Sequence, residues 1–403
     1  MSNKIICYIL GEFPSRTQTF ILQEICYISE RNPIYIVALR KGKGNIDIPP
    51  QLKDKIIYTP SIFSLVLLRA YFKTLKKEPF QKWKEIPRTG GTLKAYAKEF
   101  KYKIIAAYIS RALKSTPIQH IHAHFAGYPT TIATYLSELL HVPFSFTAHA
   151  HDIYAEKNLL SEKIGKAKFV ITCTQYNKNY LRTLILPQHE IKIHVLYHGV
   201  KIKKWEYKPT NIRRDNLSPL RILTIGRMVE KKGFIYLLQA IQLLKNEGQI
   251  VECTIVGRGA EEKMLKQYCL KNNLQKEVTF IGWQSTSTIK QLLYTADLFI
   301  LPSIITADGD RDGIPNVLME AMATGLPVIS TNISAIPELI KDHYNGLLVP
   351  EKNAIAITEA INELLNNPDI YNLLAFKSRK TIEVDFDSNR HNALLKELLD
   401  PSS

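Results

Sequence analysis

Short runs of β-branched and aliphatic residues alternate along the chain with helix-length stretches whose apolar residues recur on one face. This alternation is typical of parallel sheets covered by helices, and it predicts an α/β protein. Six runs in each half of the chain are expected to form strands. Those of the first half are Ile5–Leu10, Ile34–Leu39, Ile121–His124, Phe144–Ala148, Phe169–Thr172 and Lys192–Leu196, and those of the second are Arg221–Ile225, Glu252–Val256, Val278–Phe280, Leu298–Leu301, Val328–Ser330 and Gly346–Val349.

The two series of strands indicate two Rossmann-like, doubly wound domains, because 403 residues exceed what one ordinary core organises. The stretch between the series is polar and contains Pro209 and Pro219, which is typical of a linker. We predict a first domain over residues 1–200, a linker over 201–219 and a second domain over 220–384. A helix at about 385–403 can pack back on the first domain. Two such domains would face an interdomain cleft, with ligands at the carboxyl ends of the strands.

The formal charge of +16 is concentrated in the first half of the chain. Residues 1–200 hold 28 Lys and Arg against 13 Asp and Glu, whereas residues 201–403 hold 25 against 24. Within residues 69–114, the basic segment, 13 basic residues stand against 3 acidic ones and alternate with aromatic residues. Such a segment could lie on an anionic membrane surface. It could equally be a solvated helical face whose aromatic residues belong to the core. No nucleic-acid-binding motif accompanies the charge, so we expect no nucleic-acid partner.

The remaining composition points to the cytoplasm. The five cysteines are scattered without a Cys-x-x-Cys pair, which is typical of reduced thiols rather than of a disulfide framework or a zinc site. No apolar run reaches the roughly 18 residues of a spanning helix, and the first apolar run is too short for a signal peptide. We therefore expect a cytoplasmic protein, which the basic segment could hold peripherally on the inner face of the plasma membrane.

Two glycine-containing turns follow the first two strands of the second half. Gly226 permits a sharp turn, after which Arg227 and Lys232 can reach a ligand above the strand ends. Two cations beside a diphosphate would stabilise the charge that develops when it leaves, although both could also be solvated turn residues. Gly257 and Gly259 suit either a close approach of the backbone to a nucleotide or a plain tight turn.

The strongest chemical signal lies in residues 308–327. A helix is expected to have Pro315 in its first turn, and the amides of such a helix start attract phosphates and sugar hydroxyls. Asp312 lies in the preceding loop and Glu320 inside the helix, so that two carboxylates can border one pocket and bind vicinal hydroxyls. The residues of the helix start that are expected to bind the phosphate or sugar groups of a ligand are Gly313, Ile314, Pro315 and Asn316.

The same region imitates two metal-binding patterns. Asp308, Asp310 and Asp312 resemble the start of an EF-hand loop, but loop position 12 is Met319, so we reject calcium. The Asp308-Gly-Asp310 triplet resembles a metal-binding Asp-x-Asp, which we would expect directly after a strand in a single-domain layout, whereas this chain has two domains and the Arg227/Lys232 pair. We expect neither a metal nor another cofactor.

Taken together, these motifs resemble the family 4 glycosyltransferases. The set comprises Gly226-Arg227…Lys232-Gly233, Val256-Gly257-x-Gly259, Leu301-Pro302-Ser303, Asp312-Gly-x-Pro…Glu320-Ala-x-Ala-x-Gly-x-Pro327 and Asn345-Gly346-Leu347-Leu348-Val349. The resemblance implies a GT-B fold, donor diphosphate binding by Arg227 and Lys232, and ribose binding by Glu320. The family's Glu-x7-Glu pair falls on Asp312 and Glu320, so the first acid, expected at the donor sugar, is one methylene shorter here.

The first half is similar to exopolysaccharide transferases of the colanic acid type. The similarity rests on the loop that begins at Gly11, on His122-Ala-His124-Phe and on His149-Ala-His151-Asp152. It implies that Gly11 lines the donor site and that His149 lies near the transferred sugar. The alternating histidines could also ligate zinc, but no further ligand set is evident. For His122 we favour a core position.

These observations predict a retaining, metal-independent hexosyltransferase. The donor is expected to be a UDP- or GDP-sugar, and the acceptor a growing polysaccharide or a lipid-linked oligosaccharide. Two alternatives remain: a GT-B nucleotide-sugar epimerase or phosphorylase, and a non-catalytic sugar-nucleotide-binding subunit. His149, Arg227, Lys232 and Asp312 are the expected catalytic residues.

Overall fold

The computed structural model describes residues 4–15, 18–42, 48–60, 66–67, 69, 93–154, 159–209 and 218–400. Contacts between Cα atoms divide the chain into two compact units. The first unit comprises Met1–Leu196 and Asn392–Ser403, and the second comprises Tyr197–His391. Each unit is built around one sheet in which every pair of neighbouring strands is parallel. The two parallel-sheet α/β units confirm the predicted fold class.

The first unit contains a seven-stranded sheet of order β3-β2-β1-β4-β5-β6-β7. Its strands are β1 (Ile6–Leu10), β2 (Ile34–Ala38), β3 (Ile56–Tyr58), β4 (His120–His124), β5 (Phe144–Ala148), β6 (Val170–Thr172) and β7 (Ile193–Val195). Its described helices are α1 (Thr19–Ser29), α2 (Pro50–Lys53), α3 (Leu93–Ala112), α4 (Tyr128–Leu140), α5 (Ala150–Tyr154), α6 (Leu160–Lys166) and α7 (Gln175–Arg182). Strands β1, β4 and β5 are buried throughout, because helices cover both faces of such a sheet. The strand order reverses between β1 and β4.

The second unit contains a six-stranded sheet of order β10-β9-β8-β11-β12-β13. Its strands are β8 (Leu220–Ile225), β9 (Val251–Val256), β10 (Val278–Ile281), β11 (Leu298–Leu301), β12 (Val328–Thr331) and β13 (Leu347–Val349). The helices are α8 (Phe234–Asn246), α9 (Glu262–Lys271), α10 (Thr286–Thr295), α11 (Asn316–Thr324), α12 (Ile336–Leu339), α13 (Ala354–Asn366) and α14 (Pro368–Asp385). This is the Rossmann strand order, which reverses between β8 and β11 and places a ligand crevice at that point.

All twelve predicted strands are present, and their ends agree with the prediction to within one residue. The sequence reading missed β3, which pairs with β2 at the edge of the first sheet. Its three residues are only partly buried. A run of three residues is too short to show a hydrophobic period, and its strand character comes from its partner.

The last helix, α15 (Ser388–Leu399), returns to the core of the first unit. Its Leu395 and Leu399 are buried in one cluster with residues of β1 and α1. Beyond it, the Asp400 carboxylate accepts hydrogen bonds from the Lys4 amide at 3.3 Å and from Asn32 Nδ2 at 3.2 Å. A segment distant in sequence therefore completes the first unit.

The expected linker is only partly a connecting segment. Val200 and Trp205 are buried in the core of the second unit. The Trp205 carbonyl accepts a hydrogen bond from Arg379 Nη1 at 2.8 Å. These residues consequently belong to the second unit, and residues 210–217 of the expected linker lie outside the described residues.

The basic segment is described mainly in helix α3, and residues 70–92 lie outside the described part of the chain. Tyr96 and Phe100 on that helix are 43% and 47% exposed, whereas Tyr102 and Tyr108 pack against the first unit's core. The aromatic residues of the segment thus divide between the surface and the core. None of the helices in the described residues is long and apolar enough to cross a membrane.

We predict that Leu399→Ala destabilises the first unit. Emptying a buried leucine position costs about 2–5 kcal/mol, which would lower the melting temperature of a domain of this size by roughly 5 °C or more. Thermal unfolding followed by calorimetry measures the effect. Leu394→Ala, the same change at a 41% exposed position of the same helix, is the control and should leave the melting temperature nearly unchanged. Equal shifts in the two variants would contradict the packing of α15 described above.

Candidate functional site

The strand-order reversal of the second sheet brings two predicted site residues into contact. Lys232 ends a short 3-10 turn (Glu230–Lys232) after β8, and Asp312 lies in the segment that follows β11. Lys232 Nζ donates to Asp312 Oδ2 at 2.7 Å, and Ser303 Oγ donates to the same oxygen at 3.2 Å. The topology therefore joins residues that are 80 positions apart along the chain.

A second lysine, which the sequence reading did not select, reinforces this contact. Lys231 is buried, and its Nζ lies 3.0 Å from Asp310 Oδ1 and 3.9 Å from Asp312 Oδ1. Burial by itself would raise the pKa of Asp312, but Lys232 and Lys231, together with the hydrogen bonds from Lys232 and Ser303, hold it below its ordinary value. Asp312 is accordingly an anion that fixes the position of the Lys232 ammonium group.

Arg227 differs from these lysines because its charge is uncompensated. Its side chain is exposed on the segment between β8 and α8, and it has no ion-pair or hydrogen-bond partner among the described residues. A guanidinium group offers five N–H donors in a planar fork. Arg227 is thus a cation beside the strand-order reversal whose hydrogen-bonding capacity is open to an anionic ligand.

The two glycines after β9 are required by the packing of the loops after β8 and β9 against each other. A Cβ on Gly257, whose φ is +133°, would lie 2.0 Å from the carbonyl oxygen of Gly226. A Cβ on Gly259 would lie 2.2 Å from the carbonyl oxygen of Met228. Gly226 itself lies beneath the Lys232 stem, whose Cε would be 3.4 Å from a Cβ there. Contact between the loops therefore explains Gly257 and Gly259, whereas the neighbours of Gly226 belong to its own segment. Contact of the three glycines with a nucleotide stays a prediction.

Helix α11 begins as the acid-rich segment suggested, with a shift of one residue. Pro315 occupies the N-cap position and Asn316 is the first helical residue, so the proline precedes the first turn in which we expected it. Gly313 and Ile314 lead into this start, and Ile314 packs against the second unit's core. The first amides of a helix have no acceptor within the helix, and they carry its partial positive charge.

Glu320, one turn into α11, is a carboxylate without a partner. It is partly buried and accepts no hydrogen bond from the described residues. Burial raises its pKa from 4.5 to about 7. A desolvated acid of this kind is typical of a ligand-binding position.

In the first unit, His149 follows β5 and lies among aromatic rings. Its ring centroid is 4.4 Å from that of Phe125, 5.4 Å from that of Phe20 and 5.7 Å from that of His124. The His149 amide donates to Asp152 Oδ1 at 2.9 Å, while Asp152 Oδ2 accepts from the Ala126 amide. Asp152 thus fixes the backbone of His149 to the loop after β4. Burial, partly offset by these amide hydrogen bonds and by Lys163, raises the pKa of Asp152 to about 7.

Gly11, which follows β1, contacts Tyr128, one of the residues that line a cavity of the same unit. A Cβ there would be 2.5 Å from Tyr128 Oη, which also accepts a hydrogen bond from Arg40 Nη2 at 3.2 Å. Tyr128 and Arg40 line a cavity of about 250 Å³, whose other lining residues are Leu39, Lys101, Tyr102, Ile105 and Ile132. Gly11 therefore leaves room for Tyr128 beside a cavity with apolar walls and two cationic side chains.

The remaining strand histidines have core positions, as favoured for His122. Ser145 Oγ lies 2.7 Å from His120 Nε2 and 2.8 Å from His122 Nδ1, and Thr147 Oγ1 lies 3.0 Å from His122 Nε2. Burial lowers the pKa of both histidines to about 3, so they are neutral.

One group of side chains in this core could in principle hold a metal. Glu24, His122 and His124 each offer an atom within 4.8 Å of the others. Both nitrogens of His122 already have hydroxyl partners, and a metal would have to displace one of them.

The residues that pair with, and so position, the predicted site residues were not predicted from the sequence. Lys231, Asp310, Glu24 and His124 pair with one another or with predicted site residues. The adjacent Lys231-Lys232 pair and the His122-x-His124 alternation are signals in the sequence, but their partners come from other elements. Only the folded topology identifies those partners.

Two family models match the chain. The model described as "Glycosyl transferases group 1" matches residues 210–381, and the model described as "Glycosyltransferase Family 4" matches residues 72–204. The two matches lie on either side of the division between the units, apart from a few residues at the boundary.

Two of the relatives are named for the biosynthesis of amylovoran and of colanic acid. The amylovoran biosynthesis glycosyltransferase AmsK of Erwinia amylovora is 38% identical over 210 residues, which are 52% of this chain and 51% of AmsK. The chain thus spans about half the length of that relative. The putative colanic acid biosynthesis glycosyltransferase WcaL of Salmonella typhimurium is 27% identical over 419 aligned residues, which cover 98% of this chain and 99% of WcaL.

Solved structures share the fold at low sequence identity. The complex of Anabaena HepE with UDP has a TM-score of 0.72 at 16% identity, covering 99% of this chain and 100% of that one. Sucrose-phosphate synthase of Thermosynechococcus elongatus has a TM-score of 0.73 at 17% identity, covering 98% of each chain. With a family 4 domain in its first half, a group 1 domain in its second and the GT-B fold over its length, the chain belongs to the glycosyltransferases.

Proposed function

We propose that this protein is a retaining hexosyltransferase that takes its sugar from a UDP- or GDP-sugar bound by the second unit. The observation that carries the proposal is the cationic cluster at the reversal of the second sheet, where Lys232 is held by Asp312 beside the unpaired Arg227. The UDP complex of the similar HepE structure and the colanic acid and amylovoran names of the relatives support it.

The cluster suits the charge of a departing diphosphate. Arg227 can bind phosphate oxygens in a bidentate manner, and Lys232 supplies a second cation whose position does not depend on the ligand. The amides at the start of α11 add the positive end of a helix. Groups oriented in advance stabilise developing charge without reorganising during the reaction. This arrangement supports a transfer that needs no metal ion.

Glu320 is the proposed acceptor of hydrogen bonds from the ribose hydroxyls. Its carboxylate has no described partner, and hydroxyl donors would compensate for its desolvation. Asp312 already receives hydrogen bonds from Lys232 and Ser303, so its proposed contact with the donor sugar would share the carboxylate with the lysine.

Retention would follow from attack on the same face of the sugar. In the proposed step, the bond between the anomeric carbon and the diphosphate oxygen breaks while the acceptor hydroxyl oxygen forms a bond to that carbon. The departing phosphate oxygen takes the hydroxyl proton. Closure around the substrates would exclude water and limit hydrolysis of the donor.

The proposed acceptor is a growing polysaccharide or a lipid-linked oligosaccharide. The cavity beside Gly11 combines apolar walls with Arg40 and Lys101, which suits an acceptor that carries both an apolar part and a phosphate. The basic segment would hold the enzyme on the anionic inner face of the plasma membrane, where such an acceptor resides. We therefore propose a cytoplasmic, peripheral location.

Arg227→Ala and Lys232→Ala should each lower turnover by at least about tenfold, because each removes a cation from the departing diphosphate. Release of the free nucleotide from the donor in the presence of acceptor measures turnover. Arg221→Ala is the control, because Arg221 lies at the start of β8 and pairs with Asp297, and it should keep near-normal turnover. Near-normal rates in both Arg227→Ala and Lys232→Ala would refute the site.

Glu320→Gln should stabilise the free protein at high pH and weaken donor binding. The folded-state pKa of Glu320 is about 7 against an ordinary 4.5, so the folded state holds a proton that the unfolded state releases. The carboxyl group therefore costs stability as pH rises from about 4.5 to 7, and the cost approaches roughly 3 kcal/mol above pH 7. Melting temperatures of wild type and variant should diverge between pH 5 and pH 8.

The exposed Glu359 provides the control for that comparison, since Glu359→Gln should change neither property. A Glu320→Gln variant that melts below wild type at pH 8, or that binds the donor as tightly as wild type, would contradict the proposed role.

A thermal-shift panel of UDP-, GDP- and ADP-sugars would identify the donor base. A ligand that binds the folded protein raises the free energy of unfolding by mass action, by about 2.7 kcal/mol at a hundredfold excess over its dissociation constant. The melting temperature rises as a result. We expect a clear shift with a UDP- or GDP-sugar and a smaller one with Arg227→Ala. Equal, negligible shifts with all three classes would count against a nucleotide-sugar donor.

A further inference from the structure

Four side chains form a connected series within the first unit. Glu24 comes from α1, His124 ends β4, His149 follows β5, and Cys173 follows β6. Glu24 Oε1 lies 3.0 Å from His124 Nε2, and His124 Nδ1 lies 3.5 Å from His149 Nε2. His149 Nδ1 lies 3.7 Å from Cys173 Sγ. The series therefore reaches from a carboxylate in the core to the partly exposed His149.

The Glu24 carboxylate at one end of the series determines which ring nitrogens of the histidines carry a proton. A neutral imidazole has one N–H and one lone pair, and an ionised carboxylate can only accept. The Nε2 of His124 consequently donates to Glu24, and the Nδ1 of His124 presents a lone pair to His149.

His149 must then carry its proton on Nε2, because two lone pairs facing each other at 3.5 Å would repel. This distance is at the long end of a hydrogen bond, and such contacts often tighten when a substrate binds. The Nδ1 of His149 remains as the acceptor. Tautomer choice by the partner of the other nitrogen is a general property of histidines in functional sites.

Cys173 at the other end agrees with this assignment. Burial raises the pKa of its thiol well above 9, with smaller contributions from Asp152 and Glu24, so the sulfur keeps its proton. An S–H group is a weak donor. Cys173 Sγ lies 3.7 Å from His149 Nδ1 and 4.0 Å from the Ala148 carbonyl oxygen, so that its S–H group has two weak acceptors and a hydroxyl group could replace it at Nδ1.

We propose that Glu24 and His124 are positioning residues that hold His149 as the Nε2–H tautomer, with Nδ1 presented as the acceptor for a hydroxyl group of the sugar substrate. The tautomer follows from the geometry of the first unit alone, whereas the sugar contact rests on the proposed function.

The surrounding packing fixes the rings that this role requires. The His124 side chain is fully buried, and its ring lies 14° from parallel to that of Tyr8 at 6.1 Å. The His149 ring lies between Phe20 and Phe125, and Asp152 holds its backbone. Phe125 itself has a φ of +73°, a costly conformation for a phenylalanine. That cost is consistent with a loop built to place a side chain.

Nuclear magnetic resonance can determine the tautomer of His149 directly. The full-length protein, labelled with nitrogen-15 in its histidines, would be examined at pH 8 by nuclear magnetic resonance, with His149 assigned from the signal lost in His149→Gln. We expect a protonated Nε2 and an unprotonated Nδ1 for His149 in the wild type. In Glu24→Leu, which removes the acceptor, His149 should convert to Nδ1–H or to a mixture. Glu30→Leu, at an exposed position beyond the end of α1, should keep the wild-type pattern.

An Nδ1–H pattern for His149 in the wild type would overturn the proposal, and the one variant that this measurement needs is the folded His149→Gln that assigns the signal. An unchanged pattern in folded Glu24→Leu would overturn it too. Glu24→Leu should also lower kcat by roughly tenfold with little change in KM for the donor, because a misplaced acceptor affects the reacting geometry. If the wild type has the expected tautomer but transfers no sugar, the proposed function fails while the positioning of His149 stands. If it transfers sugar with the opposite tautomer, the reverse holds.

Discussion

The ion pair between Lys232 and Asp312 joins the two segments on either side of the strand-order reversal in the second sheet. Three further features lie around this ion pair. Lys231 and Asp310 make a second link between the same segments, Gly226 accommodates the Lys232 stem, and Ser334 Oγ donates to the Asp312 carbonyl at 2.7 Å. Asp312 and Asp310 hold the two lysines, so that the positions of these cations do not depend on a ligand. Arg227, with its charge unbalanced, and Glu320, with its carboxylate unpartnered, are the groups that a ligand would complete.

The features that prepare this site for a ligand lower the stability of the free protein. Glu320 is desolvated without compensation, and its raised pKa measures that cost. The loops that carry the charged groups are held by backbone contacts instead, since Gly226 N donates to the Val256 carbonyl at 2.9 Å and Met228 N donates to the Arg258 carbonyl at 3.0 Å. Electrostatic stabilisation of a transition state requires charged groups that are held in position before the substrate binds, and loops fixed by backbone hydrogen bonds meet this requirement.

In the first unit, the contacts orient one imidazole ring, that of His149. His149 is partly exposed at a strand end, and its neighbours come from α1, β4 and the segment after β6. The alternation of side chains along β4 places His120, His122 and His124 on one face of the sheet, at successive positions along the strand. Of these three, His124 is the one that contacts both Glu24 and His149. The other two bind hydroxyl groups of β5. Histidines of one short motif thus have different roles because their partners differ.

The sequence alone determined the two-domain α/β architecture, the positions of twelve strands and the motifs that contain the candidate residues, because these depend on local hydrophobic periods and on short spacings. It did not reveal β3, whose three residues are defined by pairing with β2. Nor did it show that Gly257 and Gly259 pack against the loop after β8, or that Asp312 pairs with Lys232. The roles of Glu24 and Asp400 are evident only from their hydrogen-bond partners, which lie about a hundred or more residues away in the sequence. Contacts of that separation are set by the order of strands in a sheet, and that order is a property of the folded chain.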